Sequence, residues 1–268
     1  MYRIRPKTSL IAAWWLASAF STTAYADDFV ALNQALPTLV DASSIAPVFD
    51  FDSDGCYPSA AISRGGVQNG GLKPTGSLGG GCRSSTFLAT SNTYHRYACQ
   101  TSGGNTYCAH MYMLYFLKDQ LVANIESGHR HDFEYAIVWT TNGTITHASY
   151  SDHADVTTSA IDALDTEDGH VKLVYHKDGV STHCMRFADS GDTIAENAYG
   201  SWVTPTIVSW HEMTGDSVSN ATLRSDFNTY DYGDANVEFN DSRFLAQLLK
   251  NPPSSYPTFT SDDVNASQ

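Results

Sequence analysis

The sequence contains few basic side chains. Lysine and arginine together number 15, against 29 aspartates and glutamates, so the formal net charge is −14. An acidic surface repels phosphate groups, which argues against nucleic acid as a partner and against charge-driven adhesion to anionic lipids. Charged residues reach only 16% while aromatic residues reach 12%, which is typical of a folded chain and not of a disordered one. We therefore expect one sizeable core in these 268 residues.

Long apolar runs are also missing beyond the N-terminus, and a membrane-spanning helix needs about 20 such residues. One apolar run of eleven residues, 10–20, follows three basic residues and precedes the small-x-small sequence Ala24–Ala26. This order is typical of a secretory signal peptide. We therefore predict a signal peptide at 1–26, secretion to the extracellular space, and one domain at 27–268. A membrane anchor is the alternative for the first segment.

Cysteine is scarce, with five residues and no C-x-x-C pair, so the spacing argues against a zinc site built on paired cysteines. In an oxidising compartment, cysteines pair as disulfides. The simplest pairing is local, Cys56 with Cys82 and Cys99 with Cys108, and each bond would stabilise the fold by about 2–4 kcal/mol. Cys184 lies in an alternating run and is predicted to be a small buried hydrophobic residue.

Turn dipeptides divide the middle of the chain into hairpins. Asn-Gly and Asp-Gly favour the positive φ angles that two-residue hairpin turns require. The two predicted hairpins are Tyr135–Thr141 with Thr144–Tyr150 around Asn142–Gly143, and His170–Lys177 with Val180–Phe187 around Asp178–Gly179. Repeated short strands and turns of this kind favour a β-sandwich.

The remaining segments complete a mainly β, single-domain sandwich with peripheral helices. Tyr107–Leu117 is apolar on both faces, which predicts a central strand, and Val203–Trp210 predicts another. Short helices are expected at Phe29–Leu36 and, with an N-terminal cap, at Asn240–Lys250. The glycine-rich segment 50–86 is expected to be a long, disulfide-pinned loop.

Five ionisable side chains crowd into the heptapeptide Gly128-His-Arg-His-Asp-Phe-Glu134. In an extended strand, Asp132 and Glu134 share one face, and Gly128 permits a sharp approach that returns His129 to it. Asp119 supplies a further carboxylate if the intervening loop turns back.

Three carboxylates raise one another's pKa unless a cation neutralises them, so this pattern predicts a divalent-metal site. Oxygen ligands favour Ca²⁺, Mg²⁺ or Mn²⁺, and neighbouring imidazoles leave Zn²⁺ or Fe²⁺ open. One alternative is a surface ion-pair cluster around Arg130. Another is a metal-dependent hydrolase with a histidine base, although neither H-E-x-x-H nor G-x-S-x-G occurs.

A second acidic motif, Asp50, Asp52 and Asp54, matches the start of an EF-hand loop. Position 12 of that loop would be Ala61 in place of glutamate, and no flanking helices are expected. The motif is therefore a candidate second calcium site, with a solvated turn as the alternative.

The heptapeptide resembles the G-H-R-H-D-W-E motif of the necrosis- and ethylene-inducing-peptide-like proteins (NLPs). The resemblance extends over residues 28–258. Further matching segments are Gly70–Gly76, Tyr115–Asp119, Val203–Trp210 and Tyr232–Asn236. The resemblance implies a β-sandwich similar to actinoporins and some fungal lectins, and Cys99 and Cys108 resemble the added pair of the second, four-cysteine subgroup. That subgroup is also credited with an additional calcium motif.

The resemblance implies a secreted cytolysin that damages the plasma membrane of plants, mainly eudicots, from its outer leaflet. Its expected ligands are the sugar head groups of glycosylinositol phosphorylceramides, bound with the help of Ca²⁺ or Mg²⁺. By motif, Asp119, His129, Asp132 and Glu134 match the cation cavity, and His153 and Trp210 match positions near the sugar. Plant immune receptors are further expected partners, because Ala109–Glu134 matches the family's immunogenic region.

Two residues depart from the family pattern. Phe133 stands where the motif has tryptophan, which keeps an aromatic ring but removes an N–H donor. Asp152 stands beside His153 in place of a small residue and adds negative charge. A non-cytotoxic glycan-binding or immunity-triggering homologue is therefore an alternative to the cytolysin, as is a hydrolase of cell-wall or lipid head groups.

Overall fold

A computed structural model describes residues 29–267. The predicted signal peptide at 1–26 lies outside these residues. Two sheets form the body of the described chain, as expected for a mainly β sandwich. The larger sheet has seven strands in the order β11-β3-β4-β5-β6-β7, with β2 paired to β4, and the smaller has the order β1-β9-β10, with β8 paired to β9. None of the described helices is long and apolar enough to cross a membrane.

The elements have the following bounds. The strands are β1 (Val48–Phe51), β2 (Pro58–Ser59), β3 (Asn92–Ser102), β4 (Asn105–Gln120), β5 (Gly128–Thr141), β6 (Thr144–Asp152), β7 (Asp155–Ala160), β8 (Thr166–Glu167), β9 (His170–Lys177), β10 (His183–Phe187) and β11 (Thr206–Ser209). The α-helices are α1 (Asn220–Thr229), α2 (Phe244–Leu248) and α3 (Ser261–Ala266), and 3₁₀ turns occupy Phe87–Ala89 and Ile161–Ala163.

Strand β4 is central, as its apolar sequence predicts. Every residue from Cys108 to Gln120 is buried, because β3 and β5 flank the strand and other elements cover both of its faces. Apolar side chains on both faces are the usual composition of such a strand. Its C-terminal end nevertheless buries Lys118, Asp119 and Gln120, and this polar end proves to be where the candidate site lies.

The two predicted hairpins differ in their turns. Asn142 and Gly143 have φ angles of 51° and 79°, so β5 and β6 are joined by the expected two-residue turn. Strands β9 and β10 also pair, but His183 is the first partner, opposite Lys177, so five residues form the loop. The two-residue turn predicted there is wrong, because the Asp178 N–H donates to the Thr182 carbonyl and closes a wider loop.

The helix predictions need correction. Residues 29–36 are not helical: Ala35 bridges Val208 beside β11, since the edge of the sheet offers backbone partners that a short isolated helix lacks. The predicted 240–250 helix shrinks to α2, and Leu249 is 40% exposed. Two further helices, α1 and α3, were not expected, although Thr260 begins α3 with a capping box.

Both predicted disulfides form. Cys56 bonds to Cys82 across a separation of 26 residues, and Cys99 bonds to Cys108 between the paired strands β3 and β4. The first bond pins the glycine-rich segment, and the Arg83 guanidinium in the same segment donates to two backbone carbonyls. Cys184 is buried and is the free cysteine of the described chain.

Candidate metal centre

A cavity of about 460 Å³ opens where the polar end of β4 meets β5, β6 and β10. All four residues that the heptapeptide argument selects, Asp119, His129, Asp132 and Glu134, line it. Donor atoms of Asp119, His129 and Asp132 lie within 4.8 Å of one another, which is close enough for a single metal ion. Glu134 lines the same wall but lies outside that group.

The register of β4 and β5 brings these residues together. Asp119 and His129 are direct cross-strand partners, and Asp132 and Glu134 follow at alternate positions on β5. Gly128 makes the close approach possible: its φ is +85°, and a Cβ atom there would lie 2.2 Å from the Asp119 carbonyl oxygen. Glycine at this position is therefore required both by the backbone angle and by space.

The His129 ring is held in the orientation that a metal ligand needs. Its Nδ1 lies 2.7 Å from the His131 carbonyl oxygen, so Nδ1 carries the proton and donates it. The lone pair of a neutral ring then resides on Nε2, which lies 3.8 Å from an Asp119 carboxylate oxygen. A backbone carbonyl that fixes the tautomer in this way is a common partner of metal-binding histidines.

The second histidine of the heptapeptide has a different environment. His131 has a φ of +63°, and its Nδ1 lies 2.6 Å from the Tyr115 hydroxyl, within an aromatic cluster that also contains Tyr232. Burial, together with the charge of Arg130, lowers the pKa of His131 to about 4, so this ring is neutral. Of the two neighbouring imidazoles, His129 lines the cavity, whereas His131 packs in the aromatic cluster.

Two of the carboxylates, Asp132 and Glu134, are buried and have raised pKa values. Burial and the charge of Asp119 raise the pKa of Asp132 to about 7, although the Tyr175 hydroxyl donates to it across 2.9 Å. Burial and the charge of Asp132 also raise the pKa of Glu134 well above its ordinary value, while the Ser151 hydroxyl donates to it. Keeping either of these buried carboxylates ionised costs free energy. A bound divalent cation offsets that cost.

The sequence argument missed His183. Its Nδ1 lies 2.6 Å from an Asp119 carboxylate oxygen and its Nε2 lies 3.2 Å from the Asp54 carbonyl oxygen, so both ring nitrogens face acceptors. Burial alone would lower the pKa of His183, but the hydrogen bond and charge of Asp119 raise it. His183 therefore orients Asp119 from the other sheet, a contact 64 residues apart for which no local pattern gives a signal.

The Arg130 alternative is wrong. The guanidinium donates to the carbonyl oxygens of Gly70 and Gly71, at 2.8 and 3.1 Å, and forms no salt bridge among the described residues. Arg130 therefore ties the glycine-rich segment to β5 and does not organise an ion-pair cluster at the surface.

Of the two residues predicted near the sugar, His153 lines the cavity with a third of its side chain exposed. Trp210 does not: it is 1% exposed and packs on Phe239, in the part of the core under α1. The expected place of Trp210 beside the sugar therefore needs correction, because an indole so deeply buried presents no free face to a ligand. Phe133, which stands where the motif has tryptophan, packs on Tyr115 and Tyr232 at the cavity wall.

The three aspartates of the candidate second calcium site do not form one of the metal-sized groups of the described chain. The Asp50 carboxylate, within β1, accepts N–H groups of Glu196 and Asn197. Asp52 lies 3.9 Å from the Arg186 guanidinium, and Asp54 approaches His183. The three carboxylates thus have separate partners, and calcium binding here stays a prediction.

Comparison with known proteins finds matches over most of the chain. The family model described as necrosis inducing protein (NPP1) matches residues 41–251. NLP effector protein 2 of Phytophthora capsici is 35% identical over 206 residues, which cover 74% of this chain and 73% of that protein.

Among solved structures, NLPPya in complex with mannosamine superimposes with a TM-score of 0.66 at 26% identity, over 88% of this chain and 98% of that one. The non-toxic HaNLP3 protein superimposes with a TM-score of 0.67 at 25% identity, over 86% and 100%. These neighbours confirm the predicted sandwich as the NLP toxin fold. The family resemblance that the heptapeptide indicated is also confirmed: this chain belongs to the necrosis-inducing NPP1 family, that of the NLP effector proteins.

Proposed function

We propose that the protein is a secreted, non-enzymatic cytolysin that binds sugar head groups of plant glycosylinositol phosphorylceramides and damages the outer leaflet of the plasma membrane. One observation carries the proposal: Asp119, His129 and Asp132 converge within 4.8 Å at the wall of an open cavity. A similar structure is described in complex with mannosamine, which supports a sugar ligand for this fold.

In this proposal Asp119, His129 and Asp132 hold a divalent cation, and Glu134 completes the negative wall. Carboxylate oxygens in the majority favour Ca²⁺ or Mg²⁺. When bound, the cation supplies a charge that sugar hydroxyls can approach. The protein's own residues do the positioning: Tyr175 and Ser151 hold the carboxylates, and His153 lies at the cavity wall, where a sugar contacts it.

This recognition reconciles an acidic protein with membrane action. A net charge of −14 repels anionic lipid head groups, so basic patches are not the means of attachment. Attachment through a bound cation and neutral sugar hydroxyls avoids that repulsion. It also makes the interaction dependent on glycan structure, because the cavity walls must accommodate the ring.

The test compares wild type with Asp132→Asn, and uses Asp168→Asn as a matched control in the exposed β8–β9 turn. We expect wild type and the control to bind Ca²⁺ by calorimetry and to release dye from vesicles that contain the glycosylated sphingolipid, but not from phosphatidylcholine vesicles. Asp132→Asn should fail in both assays. Equal lysis by Asp132→Asn contradicts the cation role, and sugar or lipid turnover products would favour the hydrolase.

A non-cytotoxic homologue is the second candidate, favoured by the similarity to HaNLP3, described as non-toxic, and by the phenylalanine at position 133. It predicts Ca²⁺ and sugar binding without dye release. Plant immune receptors remain proposed partners in either case. The region 109–134 includes the buried strand residues of β4, so its recognition as a peptide requires unfolding or proteolysis of the sandwich first.

A further inference from the structure

A second group of side chains of metal-binding types lies beside the cavity, and one of them, His153, lines it. Donor atoms of Asp152, His153 and Cys184 all fall within 4.8 Å of one another. Asp152 is the last residue of β6, His153 begins the turn to β7, and Cys184 lies in β10 of the other sheet. Packing of the two sheets is thus what brings the thiol to the carboxylate and the imidazole.

A further imidazole lies outside that group but reaches the same thiol. His176 is the cross-strand partner of Cys184, and its Nε2 lies 3.7 Å from the Cys184 Sγ. A tetrahedral Zn²⁺ ion with bonds of about 2.3 Å to sulfur and 2.0–2.1 Å to nitrogen holds such ligand atoms about 3.5–3.6 Å apart. The two atoms therefore already stand at nearly the separation that a shared zinc ion requires.

The charges around Cys184 favour a cation. Burial and the negative charges of Glu134, Asp152 and Asp178 raise the pKa of its thiol. The same negative groups attract a metal ion, whose charge then stabilises the thiolate. Asp178 also lies 3.6 Å from the His153 Nε2, where a carboxylate supports a metal-binding imidazole from outside.

We propose that Asp152, His153, Cys184 and His176 form a second metal site that takes Zn²⁺, a borderline cation suited to thiolate and imidazole ligands. This site is separate from the oxygen-rich group around Asp119 and does not depend on the proposed sugar-binding function. When sulfur coordinates the ion, the S–H bond breaks and the proton leaves to solvent, so the charge balances.

Zinc at this position would connect the β6–β7 turn to the β9–β10 pair. His153 has a φ of +53° and a partly exposed side chain that lines the cavity. Coordination fixes the direction of that ring, so the second site sets the shape of the cavity rim.

The test uses Co²⁺ as a spectroscopic substitute for Zn²⁺ on the purified, metal-stripped mature protein. We expect a thiolate-to-Co²⁺ charge-transfer band, which one equivalent of Zn²⁺ removes. Cys184→Ala should lose the band and bind Zn²⁺ at least about 100-fold more weakly. His153→Gln leaves the buried thiol intact, so it should keep the band but weaken Zn²⁺ binding at least about tenfold.

Asp119→Asn is the matched control, because Asp119 belongs to the oxygen-rich group and is not one of the four proposed zinc ligands, so the variant should keep the charge-transfer band. Near-ultraviolet circular dichroism verifies that each variant is folded. Absence of the band in folded wild type overturns the proposal, as does unchanged Zn²⁺ affinity in folded Cys184→Ala. Loss of the band in Asp119→Asn contradicts the separateness of the two sites.

Discussion

Acidification should destabilise the fold through a buried pair of histidines remote from the candidate metal centre. His95 and His110 are fully buried in β3 and β4, with His95 Nε2 3.2 Å from His110 Nδ1. Burial lowers the pKa of His110 to about 3, and burial with the nearby His110 lowers that of His95 as well. Both rings therefore stay neutral in the folded state at pH values where the unfolded chain is protonated.

The magnitude for His110 follows from its two pKa values, 6.5 unfolded and about 3 folded. Below pH 6.5 the His110 ring binds a proton in the unfolded state but not in the folded state. The free energy of unfolding therefore decreases as the pH is lowered, until the folded ring also protonates near pH 3. Between pH 8 and pH 5 this single group removes about 2 kcal/mol from the free energy of unfolding. His95 adds a loss of the same sign.

The assay is urea unfolding of wild type and His110→Asn at pH 8 and pH 5. Asparagine keeps a polar atom near the His95 ring but cannot titrate. We expect the variant to be less stable at pH 8, yet to lose about 2 kcal/mol less than wild type on acidification. Tyr112→Phe serves as the control, since it keeps the ring that packs on His95, removes only the hydroxyl that donates to the Ala42 carbonyl, and should leave the pH dependence unchanged. Parallel pH profiles for wild type and His110→Asn would refute the reasoning.

Three further predictions concern the frame of the site. Gly128→Ala should lower Ca²⁺ affinity and cost about 1–3 kcal/mol in urea unfolding, because the new Cβ meets a carbonyl oxygen at 2.2 Å; unchanged values would show that the strand yields freely. Tyr175→Phe removes the hydroxyl that donates to Asp132 and should weaken Ca²⁺ binding about 10–100-fold in calorimetry, with little change in Tm. The double variant Cys56→Ala with Cys82→Ala should lose about 2–4 kcal/mol of stability, and an unchanged unfolding midpoint would contradict the pinning of this segment.

Much of the local β structure could be predicted because its causes lie within a few residues. Asn142–Gly143 favours positive φ at both positions, and the apolar run in β4 can only be buried on both faces. The helix predicted at 29–36 is wrong because the structure of this segment depends on a partner far away in the sequence. Its apolar spacing suits a short helix, but pairing with the open edge at β11 satisfies its backbone better than a single isolated turn.

The sequence by itself determined the family, the two disulfides and three of the residues that converge in the cavity, because one contiguous heptapeptide carries His129 and Asp132 and the preceding strand ends near Asp119. Only the tertiary structure decided that His183 orients Asp119, that Trp210 is buried in the core, and that Cys184 meets groups from β6 and β9. The contacts of His183 with Asp119 and of Cys184 with Asp152 join the two sheets. The relative position of two sheets depends on the packing of all their facing side chains at once, so it cannot be predicted from any short stretch of sequence.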